Sequence, residues 1–261
     1  MDLQDGVSIV TGSSSGVGAA CARQLAERGS RVVINYVNNE AGARETEAAC
    51  EASGVETVVV RADVAEDGDC RRLAQAALDR WGRIDALVNN AGTTKFCRHD
   101  DLEGLSKDDF LRIYGVNTVG AYQMTRAVRD AMQRGGRGSI VNVASVAGVM
   151  GVGSSVAYAA SKGALITMTL SLARVLGPEI RVNAVCPGFI QGAWLEAGLG
   201  KEAYAAAKAR LEDTTPLRLT TTPDTIAEAI LYFVCGADVV TGESLILDGG
   251  MHLNTAPLGR R

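Results

Sequence analysis

The chain has 261 residues, of which 47% are hydrophobic, 21% charged and only 5% aromatic, with a formal charge of −4. That size is ample for one large α/β domain with a buried core, and the mildly negative charge gives no electrostatic footing on nucleic acid or an anionic membrane. Thirty Gly against five Pro suit a folded chain with many tight turns, not a proline-rich disordered one.

The first residues, Met1-Asp2-Leu3-Gln4-Asp5, are acidic and pass straight into Val7-Ser8-Ile9-Val10. A secretory signal needs a basic start and an apolar core, so a cytoplasmic location is expected. Strands are predicted at 7–11, 31–36, 57–61, 86–89, 139–144, 181–185 and 244–247. Helices are predicted at 19–27, 41–52, 69–80, 109–132, 157–176 and 225–235. This alternation implies a parallel sheet joined by right-handed crossovers, and the near-continuous apolar strands imply helices on both faces. Gly29, Gly54, Gly82 and Gly177 stand where a left-handed residue closes a helix. The rhythm breaks only at 191–222, where an insertion would form a lid over the carboxyl ends of the strands. Residues 1–261 read as one domain.

No residue between Arg137 and Lys162 is charged, but Asn142 and interspersed Ser and Gly interrupt any apolar span of membrane length. The six cysteines (21, 50, 70, 97, 186, 235) show no CxxC pairing and read as reduced thiols. His99 and His252, the only imidazoles, have no Cys or His at ligand spacing, so no metal site is expected.

The first strand runs into Thr11-Gly12-Ser13-Ser14-Ser15-Gly16-Val17-Gly18 and a helix. Glycines there let the backbone turn sharply against a pyrophosphate, and the helix N-terminus presents free N–H groups. No Lys follows the last glycine, which argues against phosphoryl transfer. The second strand ends in Asn35-Tyr36-Val37-Asn38-Asn39, with no acid before Glu40. A carboxylate there would bond the ribose 2′-hydroxyl of NAD, so NADP(H) is the expected cofactor, with NAD(H) the alternative. No Arg or Lys sits in that turn or directly after Tyr36, leaving Ser14, Asn35 and Asn38 as donors to a 2′-phosphate.

A tyrosine four residues before a lysine shares its helix face. Two such pairs occur, Tyr158…Lys162 and Tyr204…Lys208. The first follows a buried strand whose carboxyl end carries Ser145, where ligands of parallel sheets bind. The second lies in an alanine-rich stretch and reads as a solvated helix face. A lysine about 5 Å from Tyr158 would lower its phenol by some two pK units and equip it for proton transfer. Ser145 would hold the substrate oxygen.

Together these residues resemble the short-chain dehydrogenase/reductase family over nearly the whole chain. The resemblance rests on Thr11-Gly12-x-x-x-Gly16-x-Gly18, Asp63-Val64, Asn89-Asn90-Ala91-Gly92, Asn117, Ser145, Tyr158-x-x-x-Lys162, Pro187-Gly188 and the late Asp248-Gly249-Gly250. It implies a Rossmann doubly wound α/β fold with a seven-stranded sheet, and a catalytic tetrad of Asn117, Ser145, Tyr158 and Lys162. It also implies that Lys162 holds the nicotinamide ribose and Asn117 a proton-relaying water. Asp63 and Val64 would frame the adenine, Asn90 and Gly92 would line the cofactor cleft, and Ile190 would approach the carboxamide. Family members often carry Thr where this chain has Gly192, so that hydroxyl is missing here. The resemblance further implies a homotetramer in which helices 109–132 and 157–176 pair and the tail from His252 to Arg261 reaches a neighbour.

The expected function is hydride transfer between nicotinamide and a small hydrophobic ketone or secondary alcohol. Phe96, Val146, Val149, Met150, Phe189, Trp194 and Leu195 would line the substrate cleft. Resemblance to 3-oxoacyl-acyl-carrier-protein reductases is general; Lys95, Arg98 and Arg112 would serve an acidic carrier only weakly, and with no basic patch Lys95 and Arg98 read as exposed loop charges. A non-catalytic redox sensor would have no use for the tetrad, and a methyltransferase none for Ser145, Tyr158 and Lys162.

Overall fold

A computed structural model describes residues 1–253. Seven strands form one all-parallel sheet: β1 (Val7–Val10), β2 (Arg31–Tyr36), β3 (Thr57–Arg61), β4 (Ala86–Asn89), β5 (Gly138–Val143), β6 (Ile180–Pro187) and β7 (Ser244–Leu247). Their order is β3-β2-β1-β4-β5-β6-β7. The chain winds outward to β3, returns to β4 beside β1 and winds the other way, so the switch point lies between β1 and β4.

Alternate residues of each strand feed opposite cores, which is why the strands read as unbroken apolar runs. Val10, Val32, Ile34, Val88 and Val141 pack under α1 (Gly16–Ala26), α2 (Glu40–Glu51) and α10 (Pro223–Leu231). Ile9, Val33, Leu87 and Ile140 pack under α3 (Asp67–Trp81), α5 (Ala121–Arg134) and α7 (Val156–Leu176). Helix α7 is long and apolar enough to cross a membrane by length and composition, but here it packs on β6. The predicted helix 109–132 is two helices, α4 (Lys107–Tyr114) and α5, joined by a π-helical turn at Gly115–Gly120. Gly120 makes that join possible, because a Cβ there would stand 2.7 Å from the side chain of Val64. Short α6 (Ala147–Met150) follows β5.

Gly29, Gly54 and Gly82 adopt φ of 84°, 82° and 71° and close their helices in the left-handed region. Gly177 does not: it follows α7 at φ −70° and ψ 156°, and Pro178 continues the chain into β6. The 191–222 segment contains α8 (Ala193–Leu199) and α9 (Lys201–Thr214) beyond the carboxyl end of β6. The expected reach of the tail after Leu253 lies outside the described residues.

Candidate active site

The turn after β1 is braced from below. Thr11 Oγ1 accepts the N–H groups of Asn90 and Ala91, both at 3.0 Å, while Asn90 Nδ2 donates to the carbonyls of Thr11 and Gly12 at 2.9 and 3.0 Å. Gly12 and Gly16 sit at φ 62° and 55°, and a Cβ on Gly16 would meet nothing within 4 Å. Ser15 precedes α1 without capping it through its side chain. A pyrophosphate fits this cradle.

Several residues expected at the cofactor also build the cradle's framework. Asn35 is buried; its Oδ1 accepts from Gly12 N–H at 2.9 Å and its Nδ2 donates to the Ala62 carbonyl at 2.9 Å. Its amide therefore shapes the turn and is not free to donate to a phosphate. Asn90 is committed to the turn in the same way. Asn39 caps α2 by accepting from Gly42 N–H and also donates to the Ser14 carbonyl. Val17 and Val64 are buried, and Asp63 accepts from Ala65 N–H at 2.9 Å. Tyr36 closes β2.

On the far side of the switch point, the four tetrad residues converge. Ser145 follows β5, its Oγ accepting Ala147 N–H at 3.1 Å. Ser155 caps α7 by accepting Tyr158 N–H at 3.2 Å, which sets the first turn of that helix. Tyr158 and Lys162 follow on one face, with Lys162 Nζ 5.7 Å from the centre of the Tyr158 ring. Lys162 is buried and donates to the Val143 carbonyl at 2.7 Å. Gly92 lies close by, since a Cβ on it would stand 3.5 Å from Asn117 Oδ1 and 3.7 Å from Lys162 Nζ.

The electrostatics differ from the expected activation. Burial pushes the Tyr158 phenol up to about 12, against a smaller lowering by its hydrogen bond with Ser145. Burial also brings Lys162 down to about 8. The ammonium sits over the ring and bonds a backbone carbonyl, so desolvation of the phenolate dominates. Tyr158 is therefore a neutral phenol at pH 7, a proton donor.

Asn117, in the π-helical turn, is buried with its side chain fully engaged. It accepts from Thr93 N–H at 2.8 Å and donates to the Thr93 carbonyl at 3.0 Å and to Ser161 Oγ at 2.9 Å. This amide ties the loop after β4 to α7. Thr93, Ser155 and Ser161 were not singled out from sequence. Only Ser155, three residues before Tyr158, had a readable signal, that of a helix cap.

Pro187 and Gly188 end β6 against Ser145 and Asp248: the Pro187 carbonyl accepts Val146 N–H at 3.0 Å, and a Cβ on Gly188 would lie 2.7 Å from Asp248 Cβ. Ile190 pairs with Thr221. Above Tyr158 stands Trp194, ring centres 6.3 Å apart, with Phe96 5.7 Å beyond it. Val146 is buried, whereas Val149 and Met150 are exposed on α6. His99 braces the loop, its Nε2 3.2 Å from the Gly153 carbonyl. Lys95 and Arg98 pair with Asp109 and Asp100 at 2.7 and 2.6 Å, and Arg112 bonds Thr93 Oγ1. In the second Tyr–Lys pair, half-exposed on its helix, the Tyr204 hydroxyl accepts Gly192 N–H at 3.1 Å and Lys208 pairs with Glu212 one turn further on.

A doubly wound sheet with a glycine cradle on one side of its switch point and a Ser–Tyr–Lys cluster on the other defines a nicotinamide-nucleotide oxidoreductase. A family model described as enoyl-(acyl carrier protein) reductase matches residues 12–252. "Granaticin polyketide synthase putative ketoacyl reductase 2" of Streptomyces violaceoruber is 42% identical, over 95% of this chain and 96% of its own. A 3-oxoacyl-[acyl-carrier-protein] reductase of Synechocystis is 35% identical over 94% and 96%. The crystal structure of an NAD⁺-bound xylitol dehydrogenase superposes with a TM-score of 0.87 at 30% identity, covering 96% of this chain and all of that one (100%). The chain belongs to the short-chain dehydrogenase/reductase family and is an enzyme that acts on CH–OH groups and their carbonyl counterparts.

Proposed function

We propose that this enzyme is an NADP(H)-dependent reductase of small hydrophobic ketones. The observation that carries the reading is the convergence of Ser145, Tyr158 and Lys162 at the carboxyl ends of β5 and β6, with the phenol held neutral by burial. Nicotinamide supplies the hydride when bound. Ser145 holds the carbonyl oxygen, Tyr158 gives it a proton, and the Lys162 charge stabilises the phenolate that remains. A neutral phenol is the correct form for reduction, the direction named for the two reductase relatives.

The cofactor preference is supported by the absence of an acid at the end of β2 and by a cation that the fold supplies. Arg61 ends β3 in register with Tyr36, and its Nε donates to the Val37 carbonyl at 3.1 Å. With Asp63 it lines a cavity of about 460 Å³ next to the end of β2. Arg72, also on that cavity, is paired with Asp69 at 2.6 Å, whereas Arg61 forms no salt bridge among the described residues. Its guanidinium is the group we assign to a 2′-phosphate. The NAD⁺-bound relative makes NAD(H) the second reading.

The carbonyl is free-standing rather than carrier-bound, because Lys95 and Arg98 are already paired with carboxylates and Arg112 is engaged by Thr93. Phe96, Phe189 and Trp194 favour an apolar substrate. A homotetramer and a cytoplasmic location complete the proposal, following the family resemblance.

Tyr158→Phe tests the chemistry directly. Ketone reduction should fall by at least about 10²-fold, while NADPH titrated by nicotinamide fluorescence still binds within about twofold of wild type. Turnover retained in that variant overturns the assignment.

A further inference from the structure

Tyr204 and Lys208 lie on α9, a helix with no fully buried residue. The hydrophobic core therefore does not seat α9; besides packing on α8, the helix is held by its contacts with the segment leaving β6. There are two such points. At one, the Tyr204 hydroxyl accepts the Gly192 N–H at 3.1 Å, while its ring lies on Phe189 with centres 5.2 Å apart. At the other, a chain of polar contacts runs back from the segment to the helix. Gln191 Nε2 donates to Thr220 Oγ1 at 2.9 Å, Thr220 Oγ1 donates to Glu212 Oε1 at 3.1 Å, and Glu212 pairs with Lys208 Nζ at 3.1 Å. Between them the backbone is stitched to a third strand of chain: Gln191 N–H donates to the Thr221 carbonyl at 2.8 Å and Thr221 N–H to that of Phe189 at 3.0 Å.

We propose that Tyr204 is a positioning residue. With Glu212 it latches α9 onto residues 189–192 and so holds that segment against the nicotinamide half of the cofactor cleft. The inference rests on the reading that this segment flanks nicotinamide. Gly192 brings no side-chain hydroxyl of its own, and the phenol of Tyr204 supplies the fastening from the helix instead. The second Tyr–Lys pair thus works through the backbone of the loop and does no proton chemistry. The same latch sets the base of α8, which carries Trp194 over Tyr158.

The test compares two probes on the full-length protein. NADPH reports the whole cofactor, and 2′,5′-ADP reports the adenosine half alone. Tyr204→Phe should weaken NADPH by about two- to tenfold, the worth of one hydrogen bond, with 2′,5′-ADP affinity unchanged. Tyr204→Ala should weaken NADPH further, and Glu212→Gln should shift it in the same direction. In steady state the loss should appear in KM for NADPH more than in kcat. Equal weakening of both probes would mark a general structural role and overturn the proposal, as would no change in either. If wild type prefers NADH, the pair becomes NADH and ADP with the same expectations. A wild-type protein that binds neither nucleotide overturns the proposed function itself, and that failure shows before any variant is made.

Discussion

A tyrosine that must protonate a ketone is useful only while it still holds its proton, and burial secures that here. With the phenol near 12 and Lys162 near 8, the lower of the two sets the working range. Lys162 is charged below its shifted value and loses its charge as the pH rises through it. Reductive kcat/KM should therefore be flat from about pH 6 to 7, be halved near about pH 8 and approach a tenfold fall per unit above that. A pH series with saturating NADPH checks this, and a rate still climbing at pH 9 contradicts the roles given to both residues. Tyr158 and Lys162 were legible because helix periodicity alone puts them on one face. The duties of Asn35, Asn90 and Asn117 were not, since an amide shows its partners only when distant backbone arrives beside it.

At the scale of elements, the first turn of α1 packs tightly on the β1–α1 turn. A Cβ on Gly18 would stand 2.5 Å from Asn90 Nδ2, the group that braces Thr11 and Gly12. Gly18→Ala should cost about 1–3 kcal/mol and weaken NADPH and 2′,5′-ADP alike, read by thermal melting and by titration. Unchanged melting and binding would show that the brace yields freely. The strands were legible nearly residue for residue, because continuous apolar runs between turn residues have few other homes in an α/β chain. The π-helical join at Gly115–Gly120 was not, since it answers to Val64 across the fold and leaves the local periodicity intact. Gly177 misled because its composition suits a left-handed cap, while the turn into Pro178 uses an extended residue instead.

Across the molecule, the pairing of β2 with β3 brings Arg61 to the place where the sequence of β2 offers no cation. Arg61→Ala should raise the Kd for NADPH by about tenfold, the loss of one charge-assisted contact. The Kd for NADH should change by less than about twofold. Equal effects on both would remove Arg61 from the 2′-phosphate and favour the NAD(H) reading.

The order of elements, the parallel sheet, the glycine turn and the Tyr158–Lys162 pair were determined by the sequence itself, because each depends on neighbours within a few residues. The tertiary structure alone decided three things: the phenol's upward shift, Arg61 beside Val37, and the Tyr204 hydroxyl on the Gly192 N–H. Each depends on groups between 12 and 24 residues apart in the chain meeting in a desolvated or backbone-lined setting. No local pattern encodes that setting, because burial and long-range register exist only once the chain has closed on itself.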